Sequence, residues 1–262
     1  MNLVIGNTSQ LGISFPEDFI KISSRDIDTS KIIGYDVVYI TFAEQRTFNK
    51  DLTEKDFIDV NVSLTSELIE TIHKTNGKII VYGTFELWNG HNGPVTLETP
   101  IKYNYSPYIK SKEILYNLLL EKKSKGEWRN VFIIHPTNFN STNRKEGFLF
   151  SKIFDSIINK TKIEVGDLDI ERDLIHTDYL IKQSMECDKD MIVASGFLTN
   201  VKEYVKELYS LNGLDYSELV TENLSNSSPH KNNAFWLETE NKYNNLIKDT
   251  INDIKERKNK LS

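Results

Sequence analysis

Short, uninterrupted apolar runs recur along the first half of the chain, separated by polar or amphipathic segments. Four of them lie at 2–6, 36–41, 78–83 and 130–136, and each ends at or beside a glycine, threonine or proline. Apolar runs of this length, bounded by turn-forming residues, are typical of strands that are buried on both faces. A fifth run at 19–23 is a further strand candidate. The pattern therefore predicts a sheet formed largely by the first half of the chain.

Amphipathic segments alternate with these runs. Within 53–75, apolar residues recur every three or four positions, which predicts a helix with Thr53 as its N-cap and Gly77 as its stop. A second helix is expected at 106–124, with Ile114 and three leucines on its buried side. Strands that alternate with helices predict an α/β fold on a parallel sheet, which binds ligands at the carboxyl ends of its strands.

The second half of the chain is less regular. Helices are expected at 147–159 and 200–211, another follows the 172–186 stretch, and a charged amphipathic helix closes the chain. The apolar run at 190–196 is predicted to be a strand. A polar stretch at 221–233 is rich in turn formers and is predicted to be a loop.

Composition narrows the functional classes. The 262 residues carry a net charge of −6 and a pI of about 5.5, which excludes the basic footprint that nucleic-acid binding requires. No run approaches the roughly 20 apolar residues of a membrane span, and no leader pattern precedes the first strand. The single Cys187 cannot form an internal disulfide, and the histidines show no metal-ligand spacing. We therefore expect a soluble cytoplasmic protein without a metal, and without nucleic acid or membrane as a partner.

The first strand runs into a glycine-containing turn, GNTSQLG, at 6–12. Gly6 and Gly12 occupy the outer positions of a three-glycine phosphate-binding turn, and Ser9 replaces the middle glycine. Glycine is favoured in the middle because a side chain obstructs the approach of the backbone to a pyrophosphate. Two interpretations stay open: a dinucleotide-binding turn that tolerates the small serine, and a plain strand-to-helix turn.

The segment after this turn is short for a crossover. Phe15 and Pro16 follow almost at once and the next strand candidate starts near Phe19, whereas a parallel connection normally takes a dozen or more residues. Arg25 and Asp26 come after that strand, where an acid favours a free ribose hydroxyl and an arginine favours a 2′-phosphate. With both present, the choice between NAD and NADP stays open, and solvated surface charges are the alternative.

Tyr108 and Lys112 lie four residues apart on the second predicted helix, so their side chains share a face. A phenol has a pKa near 10, and a nearby ammonium lowers it. Such a tyrosine can exchange a proton with a sugar hydroxyl while a hydride moves to or from a nicotinamide. Thr84, at the end of the preceding strand, can hydrogen-bond the same oxygen, and Glu86 follows it. Each residue taken alone also fits an ordinary helix face or a solvated loop.

The order of these features along the chain resembles one family. TFEL at 84–87 resembles Thr-Ser-Glu-Leu, and ETPIKYNYSPYIKSK at 98–112 resembles Glu-Thr-Pro followed by Ser-Pro-Tyr-x-x-x-Lys. Three further motifs follow in the same order: NFNSTNRKEGFLFSKI at 138–153, VGDLDIERDLIHTDYL at 165–180 and IVASGFLTNVKEYVKELY at 192–209. The chain resembles the extended short-chain dehydrogenase/reductases, the NAD-dependent epimerase/dehydratase family. Within that family it is most similar to the GDP-mannose 4,6-dehydratases.

The resemblance implies an architecture. It is a Rossmann-like, doubly wound parallel sheet with a truncated first crossover and a small C-terminal substrate-binding lobe. The NAD(P)-binding domain is expected at 1–140, and the lobe mostly at 141–262, from which 167–186 is expected to return to the core. The resemblance also implies NAD or NADP as cofactor, a nucleotide sugar as substrate with a GDP-sugar favoured, and a homo-oligomer.

The same resemblance assigns a catalytic set and a cofactor site. The catalytic residues would be Thr84, Glu86, Tyr108 and Lys112, with Glu86 as the carboxylate that takes the C5 proton of the sugar. Besides Tyr108 and Lys112, the cofactor is expected to contact Gly6, Ser9, Gln10, Leu11, Gly12, Arg25, Asp26, Ile27, Thr41, Phe42 and Ala43.

Further positions follow from the resemblance on the substrate side. The substrate would be contacted by Asn138, Lys152 and Arg172. The two cationic residues, Lys152 and Arg172, would lie near the nucleotide diphosphate, because cationic side chains bind phosphate groups well. Arg144 falls in a loop that, in this family, can reach the cofactor of a neighbouring subunit. Asn61 falls at a helix position that supports the active site.

Departures from the family pattern leave three functions open. Phe85 replaces a small polar residue, the middle glycine of the turn is lost, and the family's C-terminal nucleotide-holding stretch is not recognisable at 226–236. A nucleotide-sugar 4,6-dehydratase is favoured because Glu86 is present. A C4 ketoreductase or epimerase needs only Thr84, Tyr108 and Lys112 with an exchangeable NAD(P)H, and the short chain suits it. A catalytically silent nucleotide-binding module is the third alternative.

Overall fold

The computed structural model describes residues 1–25, 27–91, 93–102, 106–226, 235–237 and 242–261. Asp26, predicted as a cofactor contact, and part of the predicted 221–233 loop lie outside the described residues. None of the helices in the described ranges is long and apolar enough to cross a membrane.

The strands and helices alternate along the first 136 residues and become shorter and more mixed afterwards. The strands are β1 (Asn2–Ile5), β2 (Ile20–Ile22), β3 (Val37–Ile40), β4 (Lys78–Tyr82), β5 (Gly93–Val95), β6 (Val131–Pro136), β7 (Asn138–Asn140), β8 (Ile163–Val165), β9 (Glu171–Arg172), β10 (Leu174–His176), β11 (Met191–Val193), β12 (Thr199–Asn200), β13 (Val220–Glu222) and β14 (Phe235–Leu237). The α-helices are α1 (Gln10–Ser14), α2 (Glu54–Ile58), α3 (Thr65–Ile72), α4 (Pro107–Ser124), α5 (Leu149–Asn159), α6 (Thr177–Met185), α7 (Val201–Leu211), α8 (Tyr216–Leu219) and α9 (Leu246–Leu261). Short 3-10 helices lie at Thr29–Lys31, Phe85–Trp88 and Leu224–Asn226, and a π-helical segment lies at Asp59–Leu64.

A six-stranded sheet forms the centre of the fold, in the order β11-β6-β4-β3-β1-β2. The pairs from β2 through β1, β3 and β4 to β6 are all parallel. Val4, Val38, Ile80 and Ile133 on the inner strands are fully buried, because helices cover both faces of a doubly wound sheet. The predicted Rossmann-like fold is confirmed, and the apolar runs at 2–6, 19–23, 36–41, 78–83 and 130–136 all contain strands.

The first crossover is as short as the sequence indicates. Helix α1 has five residues and begins after Ser9, whose hydroxyl accepts a hydrogen bond from the backbone N–H of Gly12. Phe15 follows directly and packs its ring on Tyr39, with ring centroids 4.6 Å apart. Phe19 lies against both rings. Phe15 and Phe19 therefore pack on Tyr39 of β3, beside this short helix.

The helix predicted at 53–75 has an interruption that apolar spacing did not indicate. Thr53 is its N-cap, as predicted, and forms a capping box with Asp56. The α-helical hydrogen bonding gives way to a π-helical segment at Asp59–Leu64 and resumes in α3. The segment buries Asn61, a polar residue, within the helix.

Helix α4 begins at Pro107, a residue that suits the first helical position because it has no N–H to satisfy there. Its buried face includes Ile109, Leu115 and Leu119, whereas Ile114 is 37% exposed. The expectation that Ile114 lies on the buried side was therefore wrong. Ile114 directly precedes the buried Leu115, and on a helix adjacent residues do not share a face.

Contacts along the chain divide it into two compact units. The first comprises Met1–Leu87, Ile101–Pro136 and Ile181–Ile192, and it contains the inner strands of the sheet with α1 to α4. The second comprises Trp88–Pro100, Thr137–Leu180 and Val193–Ser262. The assignment of cofactor binding to one domain and substrate binding to the other stays a prediction.

The second unit is built from helices and two-stranded ladders. Strand β7 pairs with β10 and β8 with β13 in parallel, and β9 pairs with β12 antiparallel. Its core includes Phe154 of α5, Leu208 of α7 and Ile254 of α9, each fully buried.

Candidate active site

The candidate proton-relay pair lies on the first turns of α4. Lys112 is 4% exposed, and its ammonium donates a hydrogen bond to the backbone carbonyl of Tyr82 at the end of β4, 2.7 Å away. Burial lowers the pKa of Lys112 to about 8, because a charged ammonium is disfavoured away from water. Tyr108 is half-buried one helical turn earlier. Lys112 is therefore held at the carboxyl end of β4, and the i, i+4 spacing sets Tyr108 on the same face of the helix.

Thr84 and Glu86 follow the same strand end. Thr84 is 5% exposed, and its hydroxyl accepts a hydrogen bond from the backbone N–H of Glu86 at 3.3 Å. This contact starts the 3-10 helix at Phe85–Trp88, which leaves the Glu86 side chain half-buried. A hydroxyl and a carboxylate are thus held two residues apart, at the strand end to which Lys112 is bonded.

A buried histidine supports this strand end, and the sequence did not identify it as part of the site. His135, fully buried near the end of β6, donates from Nδ1 to the carbonyl of Thr84 at 3.3 Å. Burial lowers the pKa of His135 to about 4, so the ring is neutral at pH 7. A Cβ on Gly83 would lie 2.6 Å from the Cε1 atom of that ring. No sequence signal marked His135, because its place beside Gly83 follows from the pairing of β6 with β4, which sets the residues after Tyr82 and Ile134 side by side.

Asn61 supports the helix that carries the pair. Its amide oxygen accepts from the backbone N–H of Glu44 at 2.8 Å, and its amide nitrogen donates to the Glu44 carbonyl at 2.9 Å. The same nitrogen donates to the hydroxyl of Ser111 at 2.9 Å, and that hydroxyl donates to the carbonyl of Tyr108 at 2.7 Å. The structure therefore connects Asn61 to the backbone of Tyr108 through one intervening side chain.

The glycine turn has a backbone shape that side chains would not allow. Gly6 has a φ of +109°, and a Cβ there would lie 2.8 Å from the hydroxyl of Thr41. A Cβ on Gly12 would collide with the carbonyl of Gly6. Ser9 bridges the turn, because its hydroxyl donates to the Thr41 hydroxyl at 2.9 Å while it caps Gly12. The turn keeps its two outer glycines for steric reasons and holds a serine at its centre.

The other predicted cofactor contacts lie around this turn and the end of β3. Gln10, Leu11 and Thr41 are buried, Phe42, Ala43 and Ile27 are half-buried, and Arg25 is exposed. Of these, Gln10 and Leu11 belong to the five-residue helix α1.

These residues fit a dinucleotide. The outer glycines meet the requirements of the dinucleotide-binding turn for a positive φ and for close packing of helix on strand. Among the described residues, the buried Lys112 ammonium has one acceptor, the Tyr82 carbonyl, for its three N–H bonds, which leaves donors for ribose hydroxyls. The fit is weaker at the pyrophosphate, because the Ser9 hydroxyl already accepts from the N–H of Gly12.

A cavity of about 180 Å³ lies within the second unit. Its lining combines two arginines and an asparagine with apolar and aromatic side chains: Asn138, Phe139, Arg144, Phe148, Leu149, Phe150, Ile170, Arg172, Leu174 and Val201. The Arg144 guanidinium stacks over the Phe148 ring, 3.8 Å from its centroid. Among the described residues, the buried amide nitrogen of Asn138 has no hydrogen-bond partner. The cavity therefore offers cationic and amide donors beside flat apolar surfaces.

The predicted substrate residues are only partly brought together. Asn138 and Arg172 line the cavity, whereas Lys152 is exposed on α5 and is not among the lining residues. Arg144, which the resemblance assigns to a neighbouring subunit's cofactor, lines the cavity of its own chain. Phe139 was missed, since an apolar residue in a polar stretch carries no chemical signal of its own.

No group of three or more histidine, cysteine or acidic side chains in the described part of the chain is arranged to hold a metal ion.

Solved structures share the fold. MoeE5, in complex with UDP-glucose and NAD, is 14% identical with a TM-score of 0.81, over 100% of this chain and 99% of that one. A double mutant of the dTDP-glucose 4,6-dehydratase DesIV from Streptomyces venezuelae is 16% identical with a TM-score of 0.77, over 99% and 98%. The UDP-glucuronic acid 4-epimerase of Bacillus cereus is 16% identical with a TM-score of 0.75, over 100% and 99%.

The sequence itself matches a family. No curated protein matches the chain. The family model described as the NAD dependent epimerase/dehydratase family matches residues 8–183 of the 262. With a parallel sheet, a glycine turn and a Tyr-Lys pair in the corresponding order, the chain belongs to the NAD dependent epimerase/dehydratase family.

Proposed function

We propose that this protein uses NAD or NADP to modify a nucleotide-activated sugar at C4, with 4,6-dehydration of a GDP-mannose-type sugar as the favoured reaction. Family membership supports the chemical class. The choice of dehydration rests on one observation: Glu86 stands two residues after Thr84, at the strand end to which Lys112 is bonded.

The cofactor would be held by the turn from Gly6 to Gly12, by the end of β3 at Thr41–Ala43, and by Lys112. When bound there, NAD(P) would supply the hydride acceptor for oxidation at C4 and the hydride donor for reduction at C6. The exposed Arg25 would lie near the ribose, where an arginine favours a 2′-phosphate.

The chain's own residues would move the protons. Tyr108 would take the proton of the C4 hydroxyl, assisted by the Lys112 ammonium, which stabilises the phenolate, and by the Thr84 hydroxyl, which hydrogen-bonds the sugar oxygen. Burial lowers the pKa of Lys112 to about 8, and a neighbouring phenolate would favour its charged form.

Glu86 would carry the elimination. The C4 ketone acidifies the neighbouring C5 proton, and the Glu86 carboxylate takes that proton. The C6 hydroxyl leaves as water with one of the two protons that Tyr108 and Glu86 have taken, and the other proton returns to C5. The sugar therefore loses one water and undergoes no net oxidation.

The nucleotide would occupy the cavity of the second unit. Arg172 and Arg144 suit a diphosphate, the Asn138 amide suits a phosphate or sugar oxygen, and Phe139 and Phe148 suit a planar base. The favoured GDP-sugar rests on the sequence resemblance, whereas the titles of similar solved structures name UDP- and dTDP-sugars. GDP-mannose is therefore the first substrate to test, beside UDP- and dTDP-glucose.

The glycine turn and helix α1, which would bind the cofactor, favour a second reaction. Helix α1 has five residues and Ser9 stands at the middle of the turn, which suits a cofactor that exchanges rather than one that stays bound. A C4 ketoreductase or epimerase of a 4-keto-6-deoxy nucleotide sugar needs only Thr84, Tyr108 and Lys112. A similar structure, RMD from Pseudomonas aeruginosa, was solved with NADPH.

The test is incubation of purified protein with GDP-mannose, UDP-glucose, dTDP-glucose and 4-keto-6-deoxy nucleotide sugars, with and without added NAD(P)H, followed by mass analysis. Loss of water without reductant is expected for the dehydratase, and a gain of two hydrogens only with NAD(P)H is the result for the reductase. Tyr108→Phe should abolish either activity, whereas Glu86→Gln should abolish only dehydration. No turnover of any nucleotide sugar would contradict the proposal and favour a silent binding module.

A further inference from the structure

The C-terminal helix α9 binds all three polar groups of one residue in the loop after β7. The carboxylate of Asp253 accepts from the backbone N–H of Thr142 at 2.6 Å and from its hydroxyl at 2.7 Å. Arg257, one turn later on the helix, donates to the carbonyl of Thr142 at 2.6 Å. Thr142 is 7% exposed, so these contacts replace water at every polar atom of the residue.

Arg257 also binds the helix that follows the same loop. Its guanidinium also donates to the carboxylate of Asp155 on α5 at 2.8 Å. Helix α5 begins just after Phe148. One side chain therefore ties the start of the segment 142–148 to the helix that follows its end.

This segment carries part of the cavity wall. Arg144 and Phe148 both line the cavity, and they stack on each other at 3.8 Å. The turn that leads to Arg144 closes with a hydrogen bond from its N–H to the carbonyl of Ser141 at 3.0 Å. A displacement of Thr142 would therefore move the residues that face the cavity.

Electrostatics make Asp253 a strong acceptor. Burial alone would raise the pKa of Asp253, but hydrogen bonds from His176 and from both donors of Thr142 outweigh burial and lower it. The contact with His176 runs from Nε2 to the carboxylate at 3.3 Å. Hydrogen bonds to an ionised carboxylate are about twice as strong as neutral ones.

We infer that Asp253 and Arg257 are positioning residues for the nucleotide site: through Thr142 they hold the segment 142–148 so that Arg144 and Phe148 face the cavity. The inference rests on the proposed function, since it takes the cavity to be the nucleotide site. It assigns to helix α9 a part in substrate binding, although neither residue lines the cavity.

The variants come with charge-matched controls on the same helix. Asp253→Asn removes one negative charge and leaves a single acceptor atom for the two Thr142 donors, and Arg257→Gln removes one positive charge. Glu256→Gln and Lys255→Gln make the same charge changes at exposed neighbouring positions. Thr142→Val removes the hydroxyl contact alone and keeps both backbone contacts, so it tests the inference even where a helix variant fails to fold.

Affinity for GDP, UDP and dTDP is measured by calorimetry on the full chain, together with hydrogen exchange of the 141–148 peptide without ligand. For the nucleotide that wild type binds, Asp253→Asn and Arg257→Gln should raise Kd roughly tenfold, and Thr142→Val should raise it about threefold. Exchange of the peptide should accelerate in these variants, and both controls should behave as wild type. In turnover assays KM should rise while kcat stays within about twofold, as expected for lost substrate binding.

The double variant Asp253→Asn/Thr142→Val should lose less affinity than the sum of the two single losses, because both act on one contact. Unchanged Kd in folded Asp253→Asn, equal losses in the controls, or a lower kcat at unchanged KM would overturn the inference. If wild type binds none of the three nucleotides, the proposed function fails instead. In that case the hydrogen-exchange measurement alone tests the positioning role. An unchanged exchange rate of the 141–148 peptide in Asp253→Asn would overturn that role.

Discussion

Burying the charge of Lys112 costs folding free energy, whereas the proposed reaction uses that charge. Its buried ammonium donates to the Tyr82 carbonyl, and burial lowers its pKa to about 8 from an ordinary value of 10.5. Below pH 8 both the folded and the unfolded chain hold the proton, so the charge is buried at a cost. Between pH 8 and 10.5 the unfolded chain binds more protons than the folded one, so this group makes the fold more stable as pH rises.

Lys112→Met should therefore remove both the activity and this pH dependence. The stability of wild type relative to the variant should grow by on the order of 2 kcal/mol between pH 7.5 and 10, measured by urea unfolding at each pH. Lys112→Arg is the control, since a guanidinium keeps its charge throughout this range. A difference that stays constant with pH would contradict a depressed pKa at this position.

Gly83 is a second residue whose identity follows from its surroundings. A Cβ there would press into the buried ring of His135, 2.6 Å from Cε1, and the ring is itself held by the Thr84 carbonyl. Gly83→Ala should destabilise the protein by about 2–3 kcal/mol through overpacking, measured by denaturant unfolding. Adding His135→Ala should relieve the collision, so the double variant should lose less stability than the two single variants summed. Strict additivity would show that the ring is not the obstacle.

At the scale of elements, the sequence predicted the sheet well because each inner strand is a continuous apolar run. Burial on both faces leaves no alternation, and the runs at 36–41 and 78–83 matched β3 and β4 within a residue or two at each end. The π-helical segment at Asp59–Leu64 was not predicted. A π turn takes in one residue more than an α turn, and apolar spacing of three or four does not distinguish them.

The sequence predicted some residues of the candidate site and missed others. Residues with chemistry of their own, such as Tyr108, Lys112 and Glu86, stand in a recognisable order. His135 and the cavity role of Arg144 depend on which distant segments meet, as with β6 beside β4, and one sequence does not specify such contacts.

The role of the π-helical segment in supporting the candidate site can be tested at Asn61. Its amide holds the backbone of Glu44 at both polar atoms and reaches Tyr108 through Ser111. Asn61→Ala should lower stability by about 2 kcal/mol, because the Glu44 groups lose their partner, and should lower kcat more than it raises KM. Ser63→Ala, at an exposed position of the same segment, should leave both unchanged. An Asn61→Ala enzyme with wild-type kcat would separate Asn61 from the active site.

At the scale of the whole molecule, the chain passes between its two units several times. Residues 88–100 belong with the second unit and 181–192 with the first. No linker-like composition marks these crossings, so the sequence alone does not show where they lie. The candidate catalytic residues Thr84, Glu86, Tyr108 and Lys112 all lie in the first unit, and the cavity lies in the second.

This separation predicts that the two ligands protect different peptides from hydrogen exchange. NAD(P) should slow exchange at 5–12 and 41–44, where the glycine turn and the end of β3 lie, and a nucleoside diphosphate should slow it at 138–150 and 170–174. Lys112→Met should weaken only the first protection, because its ammonium would bond the cofactor ribose, and Arg172→Gln only the second, because its guanidinium would bond the diphosphate. Each ligand should also stabilise the protein against unfolding, since a ligand stabilises the state that binds it. Lys112→Met should reduce only the stabilisation by NAD(P), and Arg172→Gln only that by the nucleoside diphosphate. If either variant lost both protections, or if NAD(P) protected only peptides of the second unit, the assignment of cofactor and nucleotide to separate units would be wrong.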